Sequence, residues 1–468
     1  MMMLFKIAYR NILRNRRRSA VTALAVAAGT QALLLFGGFQ ANVFAGLETG
    51  AVQRSGHLTA FREGYFLHGA GNPSAYGIDD FQSVIDLISH DDVLKPLSRV
   101  VTPTLSLVGI AGNYAGATSA AKTFLGTGFI PSDRVRMRQW NEHRIVLASA
   151  SEKPLKDDDP AIGFVGVGLG RILGLCGPLK IAACPQPPPA AEHPAVNAPA
   201  EDFGALQEAS FQGGDARSHD GMPRLDLLAA TAAGAPNVVG LFVASANPQG
   251  VKELDENVIG MHLSLAQQLV YGRGKPTVTG ITVQLHRTED LEKARSRLAS
   301  LFKQKGLKLE VRDFGELNPF YVQVKRFFGS MFLFIAIIMG VIVLFTIVNT
   351  MTMAVLERTA EIGTTRALGV QRAGIRRQFV VEGALLGALG ATVGVVVAAL
   401  AAFAVNHAGL SWTPPANAQS TPFRVELWGR TSLIAVTWLA LTLIATLAAT
   451  VPANRAAKLQ IVDALRHV

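Results

Sequence analysis

The segment richest in closely spaced functional side chains is Glu357-Arg358-Thr359-Ala360-Glu361-Ile362-Gly363-Thr364-Thr365-Arg366-Ala367-Leu368-Gly369. Read as a helix it carries charges and a small apolar surface and ends at a glycine, a pattern suited to docking in a groove on another protein. A plain solvated connector is the alternative. Catalytic chemistry has no comparable segment. Gly272-Arg273-Gly274-Lys275 has a superficial likeness to a phosphate loop, but Pro276 follows the lysine and the spacing that cradles phosphates is absent. There is no G-x-S-x-G elbow and no H-E-x-x-H helix, and His57, His68 and His262 stand apart, so they read as surface or structural histidines. The chain is therefore expected to hold no catalytic residue, no cofactor and no metal of its own. Asp157-Asp158-Asp159 reads as a solvated turn rather than a calcium site. Cys176 and Cys184 are close enough to form a small disulfide loop, with two free thiols as the alternative.

The elements that would position the charged segment are apolar. Hydrophobic residues make up 49% of the 468 and charged residues only 17%, a balance typical of membrane proteins. Four stretches lack Asp, Glu, Lys and Arg altogether: 19–47, 327–356, 383–405 and 431–454. At about 1.5 Å per residue each can cross a hydrocarbon core of roughly 30 Å. The net charge of +10 is not a nucleic-acid signature, because it is concentrated beside these stretches. Lys6, Arg10, Arg14, Arg16, Arg17 and Arg18 precede the first. Arg358, Arg366, Arg372, Arg376 and Arg377 outnumber Glu357 and Glu361 between the second and third, and Arg455, Lys458 and Arg466 face only Asp463 after the fourth. Positive residues stay on the cytoplasmic side, and four crossings put all three clusters there.

The expected order is a cytoplasmic amphipathic leader (1–18), span 1 (19–47), an extracytoplasmic domain (48–325), span 2 (326–356), a cytoplasmic loop (357–377), span 3 (378–405), a short outer loop (406–430), span 4 (431–454) and a cytoplasmic tail (455–468). In the leader, Leu4, Phe5, Ile7, Ala8, Ile12 and Leu13 share an apolar face suited to the membrane surface. The domain reads as mixed α/β. Asp79-Asp80 is expected to cap a helix bearing Phe81, Val84, Ile85 and Ile88, and 99–110 reads as a strand. Residues 277–285, 288–302 and 307–312 read as a β-α-β unit, and the domain is large enough for two packed subdomains. Residues 185–223, with Pro187-Pro188-Pro189, read as an extended surface insertion.

The spans have no ionisable residue near their centres, which argues against a conventional permeation route and in favour of transmitted motion. Gly383, Gly387, Gly390 and Gly394 share one helical face and mark a close helix contact, within the chain or with a partner. Glu382, just before them, is expected to pair with Arg377 or a neighbouring basic residue.

The run from Asn349-Thr350-Met351 through Glu357-Arg358, Glu361-Ile362-Gly363 and Arg366-Ala367-Leu368-Gly369 to Phe379, Glu382 and the glycine stripe resembles the FtsX-type permease domain of ABC transporters. The leader Ile7-Ala8-Tyr9-Arg10-Asn11-Ile12-Leu13-Arg14-Asn15, with Arg16-Arg17-Arg18, is similar to the start of the same proteins. The domain after span 1 sits where a MacB-like periplasmic domain would, although the Pro-rich insertion departs from the usual pattern. The resemblance implies a subunit in the cell inner membrane that does not hydrolyse ATP itself. A separate cytoplasmic ABC ATPase would bind the nucleotide, and a second permease subunit, alike or different, would complete a dimer among membrane lipids. Glu357, Arg358, Glu361, Ile362, Arg366, Ala367, Leu368 and Gly369 would be its ATPase-coupling residues, and residues 318–328 the base of a stalk. By mechanotransmission it would release lipoproteins, in the manner of LolC or LolE, or export another envelope substrate, meeting a lipoprotein or periplasmic partner outside. The lack of an ATPase segment favours the lipoprotein-releasing arrangement. The alternative is an FtsX-like regulator of cell-wall hydrolases that moves no cargo, against which the larger outer domain argues.

Overall fold

A computed structural model describes residues 2–69, 73–114, 120–145, 155–181, 184, 219, 221–413 and 420–460, without the side chains of 2–6 and 74. The expectation of an extended insertion falls mostly on 185–218 and lies outside the described residues, as does the end of the tail from 461. The chain divides into two compact units. One comprises Met1–Glu48, Pro319–Trp412 and Thr421–Val468, the other Thr49–Asn318 and Thr413–Ser420.

In chain order, helix α1 (Met2–Arg14) and helix α2 (Arg16–Ser55) come first. Helices α3 (Phe81–Ser89), α4 (Leu263–Tyr271) and α5 (Leu291–Gln304) belong to the second unit. After it come α6 (Pro319–Glu357), α7 (Thr359–Ala367), α8 (Arg372–His407) and α9 (Thr431–Lys458).

Among the described residues, α2, α6, α8 and α9 are long and apolar enough to cross a membrane. They coincide with the four uncharged runs but extend beyond them, because nothing in the flanking sequence breaks a helix. Helix α2 runs to Ser55 and stops at Gly56, whose φ of +65° favours glycine and where a Cβ would meet the Thr282 side chain at 2.4 Å. Inside the helical unit Val26, Leu33, Val343, Ile347, Phe379, Leu386 and Leu441 form a buried core. Phe334, Phe345, Leu400 and Leu443 are exposed on its outside. Large apolar side chains on the outside of long helices suit lipid as solvent, where each helix satisfies its own backbone. Between α8 and α9, a two-strand pairing of Ser411–Trp412 with Thr421–Pro422 leads into residues that pack on α2. Val425 and Leu427 are buried there, and Glu426 N–H donates to the Gly38 carbonyl at 3.0 Å.

The α/β unit contains β1 (Leu58–Arg62), β2 (Ser98–Asn113), β3 (Ala120–Phe129), β4 (Ile162–Gly166), β5 (Arg224–Ala230), β6 (Pro236–Asn247), β7 (Val258–His262), β8 (Gly280–Leu285) and β9 (Leu309–Asp313). Their order is β3-β7-β4-β6-β5-β2-β8-β1-β9, and β2 also pairs with β3. The outer half of β2 has β3 on one edge and β5 on the other, which closes six strands into a ring. Its first half pairs with β8 and continues into the sheet β2-β8-β1-β9. One long strand thus serves two subdomains.

The expected β-α-β unit is split. Strands β8 and β9 flank β1, which is antiparallel to both and was not foreseen in the sequence. Asp80 does stand at the N-cap of α3, but its carboxylate accepts from the Ser83 hydroxyl at 2.8 Å and not from the helix backbone. Leu58 lies opposite Asp313, so the strand that follows α2 and the strand that leads toward α6 share an end. Phe314 N–H donates to the His57 carbonyl at 3.0 Å and Asn318 Nδ2 donates to Ser55 Oγ at 3.3 Å, closing that end.

Candidate functional site

The charged segment singled out in the sequence forms the nine-residue helix α7, set off from α6 by Arg358 alone. Its carboxyl end is a glycine stop. Gly369 N–H donates to Arg366 O at 3.0 Å, Val370 N–H donates to Thr365 O at 3.3 Å, and Gly369 has a φ of +95°. This 5→2 and 6→1 pairing with a left-handed C′ residue ends the helix abruptly. Ala367, Leu368, Gly369 and Val370 are all exposed there, Leu368 by 82%. A leucine so exposed at a rigid turn is an apolar knob.

The eight residues expected to contact a partner do not all face outward. Arg358 and Ile362 are buried, at 5% exposure each. The Arg358 guanidinium donates to both oxygens of Glu382 at 3.2 and 3.3 Å, and its other terminal nitrogen donates to the Asn11 carbonyl at 3.3 Å. A charge this buried persists only when paired, so Arg358 fixes α7 to α8 and α1. For Glu382 the expected basic partner is thus Arg358 and not Arg377. Arg377 lies five positions away on the same helix, well off the Glu382 face, and it is exposed. Arg366 donates to the Leu459 carbonyl, tying the end of α7 to the end of α9.

Two acidic residues of the segment are also engaged within the chain. Arg14 grips Glu361 with two bonds, at 2.9 and 2.8 Å, and Arg18 grips Glu357 with two, one at 2.8 Å. Hydrogen bonding from Arg14 holds the Glu361 carboxyl below the usual carboxylate range, and the same bond raises the Arg14 guanidinium. In the sequence Arg14 and Arg18 mark sidedness and belong to the leader pattern, with nothing to pair them with these acids. Matching charges 347 and 339 positions apart give no local signal of pairing.

Behind this surface the glycine stripe faces helices of the same chain. A Cβ on Gly383 would stand 2.3 Å from Ala449 Cβ, and one on Gly387 would stand 2.6 Å from Ala445 Cβ, both on α9. Cβ atoms on Gly390 and Gly394 would meet α2 instead, at 2.7 Å from Val26 Cβ and 2.5 Å from Thr30 Cβ. Helix α8 is thus seated against two neighbours without a side chain between them.

The other candidates are structural where described. Cys176 and Cys184 form a disulfide, with Cα atoms 6.2 Å apart. Asp157 accepts from Ser132 N–H at 2.9 Å and Asp159 binds the His219 ring at 2.9 Å. His57 Nδ1 accepts from Leu285 N–H at 3.0 Å, and His262 caps α4 by accepting from Ser264 N–H at 3.1 Å. Gly272 closes α4, so the Gly-Arg-Gly-Lys run follows a helix and does not open one. Among the described residues no three metal-binding side chains cluster.

Residues 332–461 match the FtsX-like permease C-terminal family. The macrolide export ATP-binding/permease protein MacB of a Shewanella species is 30% identical over 227 residues, 46% of this chain and 33% of that protein. The lipoprotein-releasing system transmembrane protein LolC of Neisseria meningitidis is 30% identical over 232 residues, 47% of this chain and 53% of that protein. The ABC transporter permease YtrF of Bacillus subtilis is 45% identical over 74 residues, 16% of each chain. The chain spans between about a sixth and about half the length of these relatives.

Proposed function

We propose that this chain, similar to FtsX-like permeases over residues 332–461, is the membrane subunit of an ABC transporter. A separate cytoplasmic ATPase binds and hydrolyses ATP, and the permease converts ATPase closure into movement of its α/β unit. The work is done on an envelope substrate, with lipoprotein release or export as the class, and the chain acts with a second permease subunit. In this reading the chain lies in the cell inner membrane, with α7 in the cytoplasm and the α/β unit in the periplasm. The basic residues of the leader, the α6–α8 connection and the tail support that orientation.

The observation that carries the proposal is helix α7 with its exposed end. It presents Ala367, Leu368 and Val370 on a glycine-stopped turn, while Arg358, Glu357, Glu361 and Arg366 brace it from behind. A helix held so firmly transmits displacement instead of absorbing it. Purification in mild detergent is expected to recover a nucleotide-binding subunit, and Leu368→Asp to release it while the permease stays folded. Retention of the ATPase by the Leu368→Asp variant would argue against the assignment. Glu361→Lys also weakens the complex, indirectly, because it breaks the Arg14 pair inside the chain.

A further inference from the structure

Helices α2 and α6 both lead between the helical unit and the α/β unit, but they meet α7 by different means. Helix α6 is joined to α7 through the backbone of Arg358. Helix α2 has no short covalent route to it, since Arg18 and Glu357 are 339 positions apart. Its links are side chains. Arg14, at the end of α1, holds Glu361, and Arg18, in the first turn of α2, holds Glu357. Between them Arg358 reaches the Asn11 carbonyl of α1 while paired with Glu382. One turn beyond Arg18, Thr22 Oγ1 donates to Thr350 Oγ1 of α6 at 2.8 Å.

Exposed ion pairs contribute little to stability, and the Arg14–Glu361 side chains are 51% and 54% exposed. Two-pronged arginine–carboxylate pairs do fix direction, because both bonds must be kept for the planes to stay matched. Two such pairs about a turn apart, Arg14 of α1 with Glu361 of α7 and Arg18 of α2 with Glu357 at the end of α6, resist both sliding and rotation of α1 and α2 against the α6–α7 corner.

We propose that Arg14 and Arg18 are positioning residues that form a second, ionic drive from α7. Arg14 carries the displacement of α7 into α1, and Arg18 clamps the start of α2 to Glu357, the last residue of α6, so that the two helices move together. This rests on the coupling reading of α7.

The test uses the full chain with the ATPase that co-purifies, and hydrogen exchange read by mass spectrometry with and without ATP plus vanadate. In the parent, nucleotide is expected to alter exchange in peptides from α7 and in peptides from α1 and the start of α2. In the Arg14→Gln/Arg18→Gln variant, α7 still responds while the α1–α2 response falls by about tenfold, the effect of losing two exposed pairs together. Arg14→Glu gives part of that loss, and adding Glu361→Arg restores the response. An undiminished α1–α2 response in the double glutamine variant would overturn the proposal, as would a charge swap that restores nothing. Failure of the coupling reading has a different appearance: no ATPase is recovered, or α7 itself ignores nucleotide in the parent. That outcome overturns the ionic drive as well.

Discussion

Replacing Gly383 with alanine tests the seating of α8 most directly. The new Cβ would lie 2.3 Å from Ala449 Cβ, whereas carbon atoms meet at roughly 3.5–4.0 Å. Neither atom can swing away, so α8 and α9 must part locally by about 1 Å or more, and overpacking of this kind costs about 1–3 kcal/mol. Alanine is a better helix former than glycine by about 0.5–1 kcal/mol, which leaves a net loss of about 1–2 kcal/mol. Ala449→Gly alone costs about 1 kcal/mol through propensity. In the double variant the methyl group is in effect moved across the contact, and stability returns to within about 0.5 kcal/mol of the parent, giving a coupling energy of about 2–3 kcal/mol. Gly329→Ala is the control, since nothing lies within 4 Å of its Cβ, and it should stabilise by about 0.5–1 kcal/mol. Unfolding in mixed micelles titrated with SDS and followed by far-UV circular dichroism gives all four values. A Gly383→Ala variant as stable as the parent, or one that Ala449→Gly fails to relieve, would refute the close seating.

The buried pair gives an unequal set of effects. Arg358→Ala or Glu382→Ala leaves one charge buried alone and should cost about 3–5 kcal/mol, whereas Arg358→Met/Glu382→Leu together should be near neutral in stability; equal losses in all three by the same titration would count against the pair. In the α/β unit, Asp91 accepts from Arg297 at 2.6 Å and from the Val93 and Leu94 amides at 3.0 Å, and the Arg297 bond, followed by those amides, holds its carboxyl below the usual range. A depressed carboxyl contributes stability that is present above its unfolded pKa and lost as pH falls through the folded value. The gap in melting temperature between parent and Asp91→Asn should therefore be full at neutral pH and close below about pH 4; a gap that persists unchanged into stronger acid would contradict it.

What could be read from the sequence was what depends on local pattern. An uncharged run long enough to cross a bilayer forms a helix whatever surrounds it, so 19–47, 327–356, 383–405 and 431–454 coincide with α2, α6, α8 and α9. Gly383, Gly387, Gly390 and Gly394 announced a close contact, but spacing alone cannot say which helix comes close. It took the structure to show that the stripe divides between α9 and α2. The sense in which each charged side chain of α7 points was equally hidden. Glu357, Arg358 and Glu361 look equivalent in a charged run, and only packing turns Arg358 inward. Strand β1 was missed because Leu58-Thr59-Ala60-Phe61 is short and buried on both faces, so it shows no alternation. The match to the FtsX-like permease family likewise falls on the carboxyl-terminal helices, where the motif is local.

The common end of β1 and β9 has a mechanical meaning. A force that drew the far ends of α2 and α6 apart would peel these strands open one bond at a time, starting at Leu58 and Asp313. A force applied to both alike would not displace one against the other and would leave their rungs unloaded. Where the chain enters and leaves the α/β unit, its two ends are pinned together at Ser55–Asn318 and His57–Phe314.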